Sequence, residues 1–113
     1  MKVILKTSLP NEEKNEIINN IKARFYDKFE RCYIIGSFFR NKCCIEKSDI
    51  DVVIIDKSFE SYHMIHNNEY IKQLIKNFPY KLDIFLYTPY QFKIRYKFDE
   101  RFRNNIEGGL KLF

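Results

Sequence analysis

Three of the aspartates are the residues best suited to chemistry in this sequence. Asp49 and Asp51 stand two positions apart at the start of a predicted strand, where alternate side chains share a face. Carboxylates this close repel each other unless a cation lies between them, and Mg²⁺ prefers one or two carboxylates together with water and phosphate oxygens. Asp83 lies on the next predicted strand. If the two strands pair, three carboxylates converge and could hold two metal ions about 3.5–4 Å apart.

A short turn upstream of these aspartates is suited to holding phosphate. Gly36 and Ser37 follow a predicted buried strand and are expected to lead into a helical turn. Glycine lets the backbone approach a ligand closely, and free backbone N–H groups at a helix start attract phosphate. Arg40 and Lys42 follow closely and could neutralise phosphate charge. We therefore predict that this turn holds the terminal phosphates of a nucleoside triphosphate.

Each of these features also has a simpler structural explanation. A Gly-Ser pair after a strand is more often only a turn, and two aspartates at i and i+2 are often a strand-end cap. Asp83 would also suit an edge strand with one solvent-exposed face, although aspartate is disfavoured in strands. His63 and His66 lack a third ligand and are more often surface or partly buried residues. The order and proximity of the glycine turn and the aspartates together favour the phosphate and metal site.

Short apolar runs predict the strands that position these residues. They cover residues 32–35, 50–55 and 81–87. The middle run is apolar on both faces after Asp51, which is typical of a fully buried strand. A further short strand is expected at 110–113, and residues 1–6 are predicted as a strand or a loose arm.

Apolar residues at fourfold spacing predict three helices. The first buries a face formed by Ile17, Ile21, Phe25 and Phe29. The second occupies the later part of 58–78, and Pro79 ends it. The third begins at a capping box at Thr88 and runs without a break to the glycine pair at Gly108. This order of elements implies a small α/β (α+β) domain, with a mixed sheet flanked by helices.

The length and composition of the chain indicate one globular domain over residues 1–113. Hydrophobic residues make up 45% of it, with eleven Phe and eight Tyr, which suffices for a core. The net charge of +5 favours anionic partners, although a solvated basic surface explains it about equally well. Three cysteines, two of them adjacent, argue against disulfides or zinc and indicate reduced thiols in a cytoplasmic protein. No apolar run is long enough to span a bilayer, so no membrane association is expected.

Three motifs resemble those of the nucleotidyltransferase superfamily that includes DNA polymerase beta. They are Gly36-Ser37, Ser48-Asp49-Ile50-Asp51-Val52-Val53-Ile54 and Lys81-Leu82-Asp83-Ile84. The short length looks most like the minimal nucleotidyltransferase (MNT) branch, and the resemblance, which covers about residues 32–88, implies the nucleotidyltransferase fold. It implies that the Gly-Ser turn binds the triphosphate and that Asp49 and Asp51 bind metal. It further implies that Asp83 helps to bind the catalytic metal and supports deprotonation of the attacking hydroxyl.

The resemblance also implies an activity and partners. The expected reaction is Mg²⁺-dependent transfer of a nucleoside monophosphate, AMP from ATP being the best guess, to an acceptor hydroxyl with release of pyrophosphate. Minimal members are often antitoxins encoded beside a HEPN-type ribonuclease toxin, and some transfer AMP onto a toxin tyrosine. The expected partners are therefore ATP and a HEPN-type toxin, or a second copy of the chain.

Two other functions remain open from the sequence. The chain could be a catalytically weak binding subunit that neutralises a partner by contact, because Asn41 stands where many family members carry a second glycine. It could also be a small nucleic-acid-binding domain that uses basic and aromatic residues. This last function ranks lowest because clustered carboxylates repel phosphate when no metal is present.

Overall fold

The computed structural model describes residues 11–36, 50–60 and 64–113, and within them the small α+β fold is confirmed. Four helices and a short 3₁₀ turn flank a four-stranded mixed sheet. In chain order the elements are α1 (Asn11–Phe25), β1 (Arg31–Ile35), β2 (Ile50–Ile55), the 3₁₀ turn (Lys57–Phe59), α2 (Met64–Leu74), β3 (Leu82–Tyr87), α3 (Pro89–Phe98), α4 (Glu100–Glu107) and β4 (Leu110–Lys111). The segment 1–6, expected as a strand or arm, lies outside the described residues.

The sheet has the strand order β3-β2-β1-β4. β2 pairs in parallel with β3 and antiparallel with β1, and β1 also pairs antiparallel with β4. The parallel pair needs a crossover connection, and α2 lies in it. The expected order of helix and strand along the chain therefore produces a mixed sheet with β2 at its centre.

Both faces of β2 are buried, as its continuous apolar run predicts. Ile50, Val52 and Ile54 join one core cluster with residues of α1 and α2, while Val53 and Ile55 join a second cluster with residues of α3 and α4. Burying an aliphatic side chain of this size stabilises the fold by roughly 1.5–3 kcal/mol. The two clusters on opposite faces hold the central strand rigidly in place.

α1 packs on the sheet as predicted but is shorter than its apolar spacing suggests. Ile17, Ile21 and Phe25 are fully buried, whereas the helix ends at Phe25. The chain then turns at Asp27, whose φ of 70° lies in the left-handed region. Phe29 is therefore not helical, although it is buried in the same core cluster.

α2 ends at Leu74, earlier than Pro79 predicted, and an arginine of α1 satisfies carbonyl groups at this end. The Nη1 atom of Arg24 donates to the carbonyl oxygens of Leu74 at 3.1 Å and Lys76 at 3.0 Å. The last carbonyls of a helix lack partners within it, and a cation there is favourable. The chain reverses at Asn77, which has a φ of 65°.

The predicted single helix after Thr88 is wrong, because it is broken into α3 and α4. The capping box at its start is confirmed, with Gln91 N donating to Thr88 Oγ1 at 3.1 Å and Thr88 N donating to Gln91 Oε1 at 2.9 Å. The break falls at Asp99, whose N–H donates to Arg95 O at 2.9 Å while its carboxylate accepts from Phe102 N at 3.0 Å. An aspartate that caps a new helix competes with continuation of the old one.

The expected last strand is present as β4, which extends the sheet beside β1. Leu112 N donates to Cys32 O at 2.8 Å, and Cys32 N donates to Phe113 O at 3.2 Å. Gly109 permits this pairing because a Cβ there would collide with the Ile34 carbonyl oxygen. Among the described residues, no helix has the length and apolar character needed to cross a membrane.

Candidate active site

Asp51 and Asp83 lie side by side on the sheet. They are Cα partners in the parallel pairing of β2 with β3, and residues at one register position present their side chains on the same face. Neighbouring strands are about 4.7–4.9 Å apart, so the two carboxylates stand at close range. The sequence predicted this convergence only on the condition that the two strands pair, and they do.

The position of Asp51 is set by the packing of the rest of β2. Five of the six residues in this strand are buried, and Asp51 is the half-buried exception near its N-terminal end. Asp83 is exposed. The core therefore fixes the strand while leaving its one carboxylate, and the neighbouring one, within reach of solvent.

Gly36, the first residue of the predicted phosphate turn, lies against the same carboxylate. It follows β1 directly, where Ile35 pairs with Asp51, and it has a φ of 81° that favours glycine. A Cβ built on Gly36 would lie 2.8 Å from Asp51 Oδ2, which is closer than real Cβ contacts. The absence of a side chain at Gly36 thus leaves the room that the Asp51 carboxylate occupies.

The remaining predicted site residues are Ser37, Arg40 and Asp49, and all three lie outside the described residues. Their proposed roles stay predictions. In the part of the chain that the structure describes, no group of three or more His, Cys, Asp or Glu residues is placed to hold a metal ion. Two carboxylates of the predicted set, Asp51 and Asp83, are the described members.

The two carboxylates stand at an open end of their sheet face. Strand alternation places Val53 and Phe85 on the same face as the aspartates. Val53 is buried in the cluster that α3 and α4 cover, whereas the Phe85 side chain is 37% exposed. Phe85 is not among the predicted site residues, although its place two residues after Asp83 in a predicted strand indicates the shared face.

Tyr87 and Tyr96 each make a hydrogen bond with a side chain of the C-terminal helices. Tyr87 OH accepts from Arg95 Nη1 at 2.8 Å, and the Tyr87 ring packs edge-on against Phe102. Tyr96 OH donates to Glu107 Oε2 at 2.6 Å, and this hydrogen bond raises the pKa of Tyr96. Both side chains pack against the cluster that α3 and α4 cover, on the same sheet face as the aspartates, and Tyr87 lies four residues beyond Asp83 along β3.

The carboxylate pair fits a divalent cation by its donor set. Like charges directly opposite each other on neighbouring strands destabilise a sheet, and an intervening cation reverses that effect. Mg²⁺ takes one or two carboxylates and completes its octahedron with water and phosphate oxygens. Asp51 and Asp83 therefore supply donors of the right kind and number, and Gly36 lies beside them.

Comparison of the chain with protein-family models gives no match, and comparison with curated proteins gives none either. The candidate site consists of Gly36, Asp51 and Asp83 in the described residues. Ser37, Arg40 and Asp49 are its predicted additions.

Proposed function

We propose that this protein transfers a nucleoside monophosphate, AMP from ATP in the simplest case, to an acceptor hydroxyl. The observation that carries the proposal is the in-register pairing of Asp51 with Asp83 beside Gly36. Two carboxylates at close range beside a glycine suit metal-dependent phosphoryl chemistry better than they suit an apolar site or an anion site without metal.

Three aspartates hold the metal in this proposal. Asp51 and Asp83 are the described donors, and Asp49, two positions before Asp51, is the third. Bound Mg²⁺ would supply charge neutralisation on the phosphate oxygens as bond order changes. The binding would also offset the repulsion between the carboxylates.

The chain's own residues orient the two reactants. The Gly36 turn, with Ser37 and Arg40, grips the terminal phosphates through backbone and side-chain donors. Asp83 is the more exposed of the two described carboxylates, so it faces the acceptor hydroxyl and favours its deprotonation. Catalysis in this scheme is mainly positioning and charge neutralisation.

The acceptor that we propose is a tyrosine hydroxyl of a HEPN-type toxin, which makes the protein an MNT-type antitoxin acting in the cytoplasm. The support for this acceptor is the resemblance of the three motifs to those of minimal nucleotidyltransferases.

Transfer of label tests the activity directly. The protein is incubated with Mg²⁺, ATP labelled at the α-phosphate and the product of the adjacent gene. We expect label on a tyrosine of that product, and a loss on the order of 100-fold in Asp51→Asn and Asp83→Asn. Asp27→Asn is the matched control, because it removes an exposed carboxylate at a left-handed position that asparagine also tolerates. Absence of both transfer and triphosphate binding in the unaltered protein would sink the proposal.

A second candidate function is neutralisation of a partner by contact alone. The observation that favours it is the exposure of large apolar side chains on α3, with Tyr90 at 72% and Phe98 at 73%. Under this function Asp83→Asn retains full neutralisation of the partner in a growth assay. Loss of neutralisation in that variant, with the fold intact, excludes it.

A further inference from the structure

α3 presents apolar residues on two opposite sides. Phe92 is 6% exposed and packs in the core, and Tyr96 lies one turn further along the same side. Tyr90, Ile94 and Phe98 follow one another at fourfold spacing and form a second stripe. At about 100° per residue this stripe lies opposite the buried one. Its exposure ranges from 38% at Ile94 to 73% at Phe98, so the described part of the chain leaves it uncovered.

The exposed stripe borders a shallow groove that is open to solvent. The groove has a volume of about 620 Å³, and its walls include Leu86, Tyr87, Tyr90, Ile94, Arg95 and Phe98. One wall is the stripe on α3 and the other is the end of β3, an edge strand among the described strands of the sheet. A concave apolar surface of this size suits inserted side chains.

The floor of the groove is held in one arrangement before anything binds. The Arg95 guanidinium lies 4.9 Å from the Phe102 ring centroid and 5.8 Å from that of Tyr87. It also donates to Tyr87 OH at 2.8 Å and forms a salt bridge with Asp99 at 3.3 Å. Because these side chains are already ordered, binding costs little conformational entropy, and this favours affinity.

The charges beside the stripe indicate the sign of its partner. Lys93 and Lys97 flank the stripe on the side away from Arg95 and from the groove, and both are exposed. Asp99, the acidic residue at the end of the groove, is paired with Arg95. The chain as a whole carries a net charge of +5. This outer edge of the stripe, the rim, is therefore positive, and a partner that lies across the stripe with acidic residues on that edge complements it.

We propose that this groove docks an amphipathic helix of another protein, with apolar residues inserted between α3 and β3 and acidic residues facing Lys93 and Lys97. A second copy of this chain is a poorer occupant, because its own basic rim would face the same charges. A lipid surface is a poorer occupant as well, because the concavity would remain unfilled. The proposal does not rest on nucleotidyl transfer, which uses residues outside the groove.

Binding of synthetic peptides tests the proposal. The probes are two fluorescein-labelled helical peptides of about 18 residues with leucines at i, i+3, i+4 and i+7. One carries glutamates beside the leucines and the other carries lysines. We expect the glutamate peptide to bind at least about tenfold more tightly, as measured by fluorescence anisotropy at low salt.

Variants of the stripe and rim sharpen the test. Tyr90→Ser and Phe98→Ser should each weaken the glutamate peptide by about tenfold or more. Tyr26→Ser, which alters an exposed aromatic residue outside the groove, is the matched control and should leave binding unchanged. The double variant Lys93→Glu/Lys97→Glu should reverse the preference between the two peptides. Circular dichroism and thermal unfolding check that each variant is folded.

Four outcomes would overturn the proposal. They are equal affinity for the two peptides, indifference of binding to the stripe variants, a dimer at micromolar concentration that Phe98→Ser abolishes, and binding to anionic phosphatidylglycerol vesicles that requires Tyr90 and Phe98. Triphosphate binding serves to separate this proposal from nucleotidyl transfer. Phe98→Ser should bind ATP with unchanged affinity, and Asp83→Asn should bind the glutamate peptide with unchanged affinity.

Discussion

The carboxylates of Asp51 and Asp83 emerge from one face of the sheet at the same register position of two parallel strands. Hydrogen bonds at both ends of this pairing fix the register, with Ile50 N donating to Lys81 O at 2.9 Å and Asp56 N donating to Tyr87 O at 3.1 Å. A slip by one residue would move every side chain of β3 to the opposite face. The pairing of the two acids is therefore enforced by the whole strand and its core contacts.

Replacement of Asp83 by asparagine should stabilise the metal-free protein while removing its response to metal. Relief of like-charge repulsion across the strands is worth about 0.2–1 kcal/mol. Urea unfolding with and without MgCl₂ and ATP measures both effects. Asp27→Asn should show the stability and the metal response of the unaltered protein. A metal-free Asp83→Asn protein that is less stable, or one that Mg²⁺ still stabilises in full, would contradict the assignment.

Gly36→Ala should damage both stability and nucleotide binding. A φ of 81° costs an L-residue roughly 1–2 kcal/mol, and the new methyl group would displace Asp51 Oδ2. Denaturant unfolding and titration with ATP report the two losses. Gly108→Ala is the control, since Gly108 has a right-handed φ of −84° and a Cβ there would be 3.2 Å from Asn104 O. Equal losses of stability and of ATP affinity in the two variants would contradict this role of Gly36.

Local sequence signals predicted the strands and the start of α3. The bounds of β2 follow from its apolar run, which Asp51 alone interrupts, and the Thr88 capping box sets the start of α3 through two hydrogen bonds within four residues. The break at Asp99 was missed because it depends on tertiary contacts. Arg95, which pairs with Asp99, is held over Phe102 and Tyr87 by packing that no local pattern shows.

The residues of the site could be predicted from the sequence, but their arrangement in space could not. Alternation gives the face on which Asp51 lies, yet the partner of that residue depends on the register between β2 and β3, which are distant in sequence. The contact of Gly36 with Asp51 depends likewise on the antiparallel pairing of β1 with β2. Non-local pairing of this kind leaves no periodic trace in the sequence.

Asp99→Ala should make the protein less stable than the unaltered protein at neutral pH, and this difference in stability should disappear in acid. The hydrogen bond from Phe102 N, followed by the contacts with Arg95, holds the pKa of Asp99 below its ordinary value. Because the folded-state pKa is depressed, the contribution is present above the unfolded pKa of about 3.9 and is lost as pH falls through the folded value. Thermal unfolding of both proteins from pH 7 to pH 2 should show the gap between them closing below about pH 4. A gap that stays constant to pH 2 would rule out this role for the carboxylate.

Cys32 should resist thiol reagents until the protein unfolds. It is fully buried in β1, and burial raises the pKa of its thiol to about 12. In a Cys43→Ser/Cys44→Ser variant, Cys32 is the remaining cysteine, so its reaction with Ellman's reagent at pH 8 should follow the fraction of unfolded protein across a urea titration. Rapid labelling in the absence of urea would show that β1 opens locally.

The crossover between β2 and β3 also determines at which stage of folding the site forms. Asp51 and Asp83 come together only when the long segment between β2 and β3, which contains α2, has closed. The contacts between α3 and α4, by contrast, join residues that are close in sequence. Non-local parallel pairing is slow to form because loop-closure entropy is lost before any contact compensates it. If the carboxylates come together after the folding transition state, Mg²⁺ with ATP should slow unfolding and leave the refolding rate nearly unchanged. The ligand would then slow unfolding of the native protein without affecting the steps by which the chain folds.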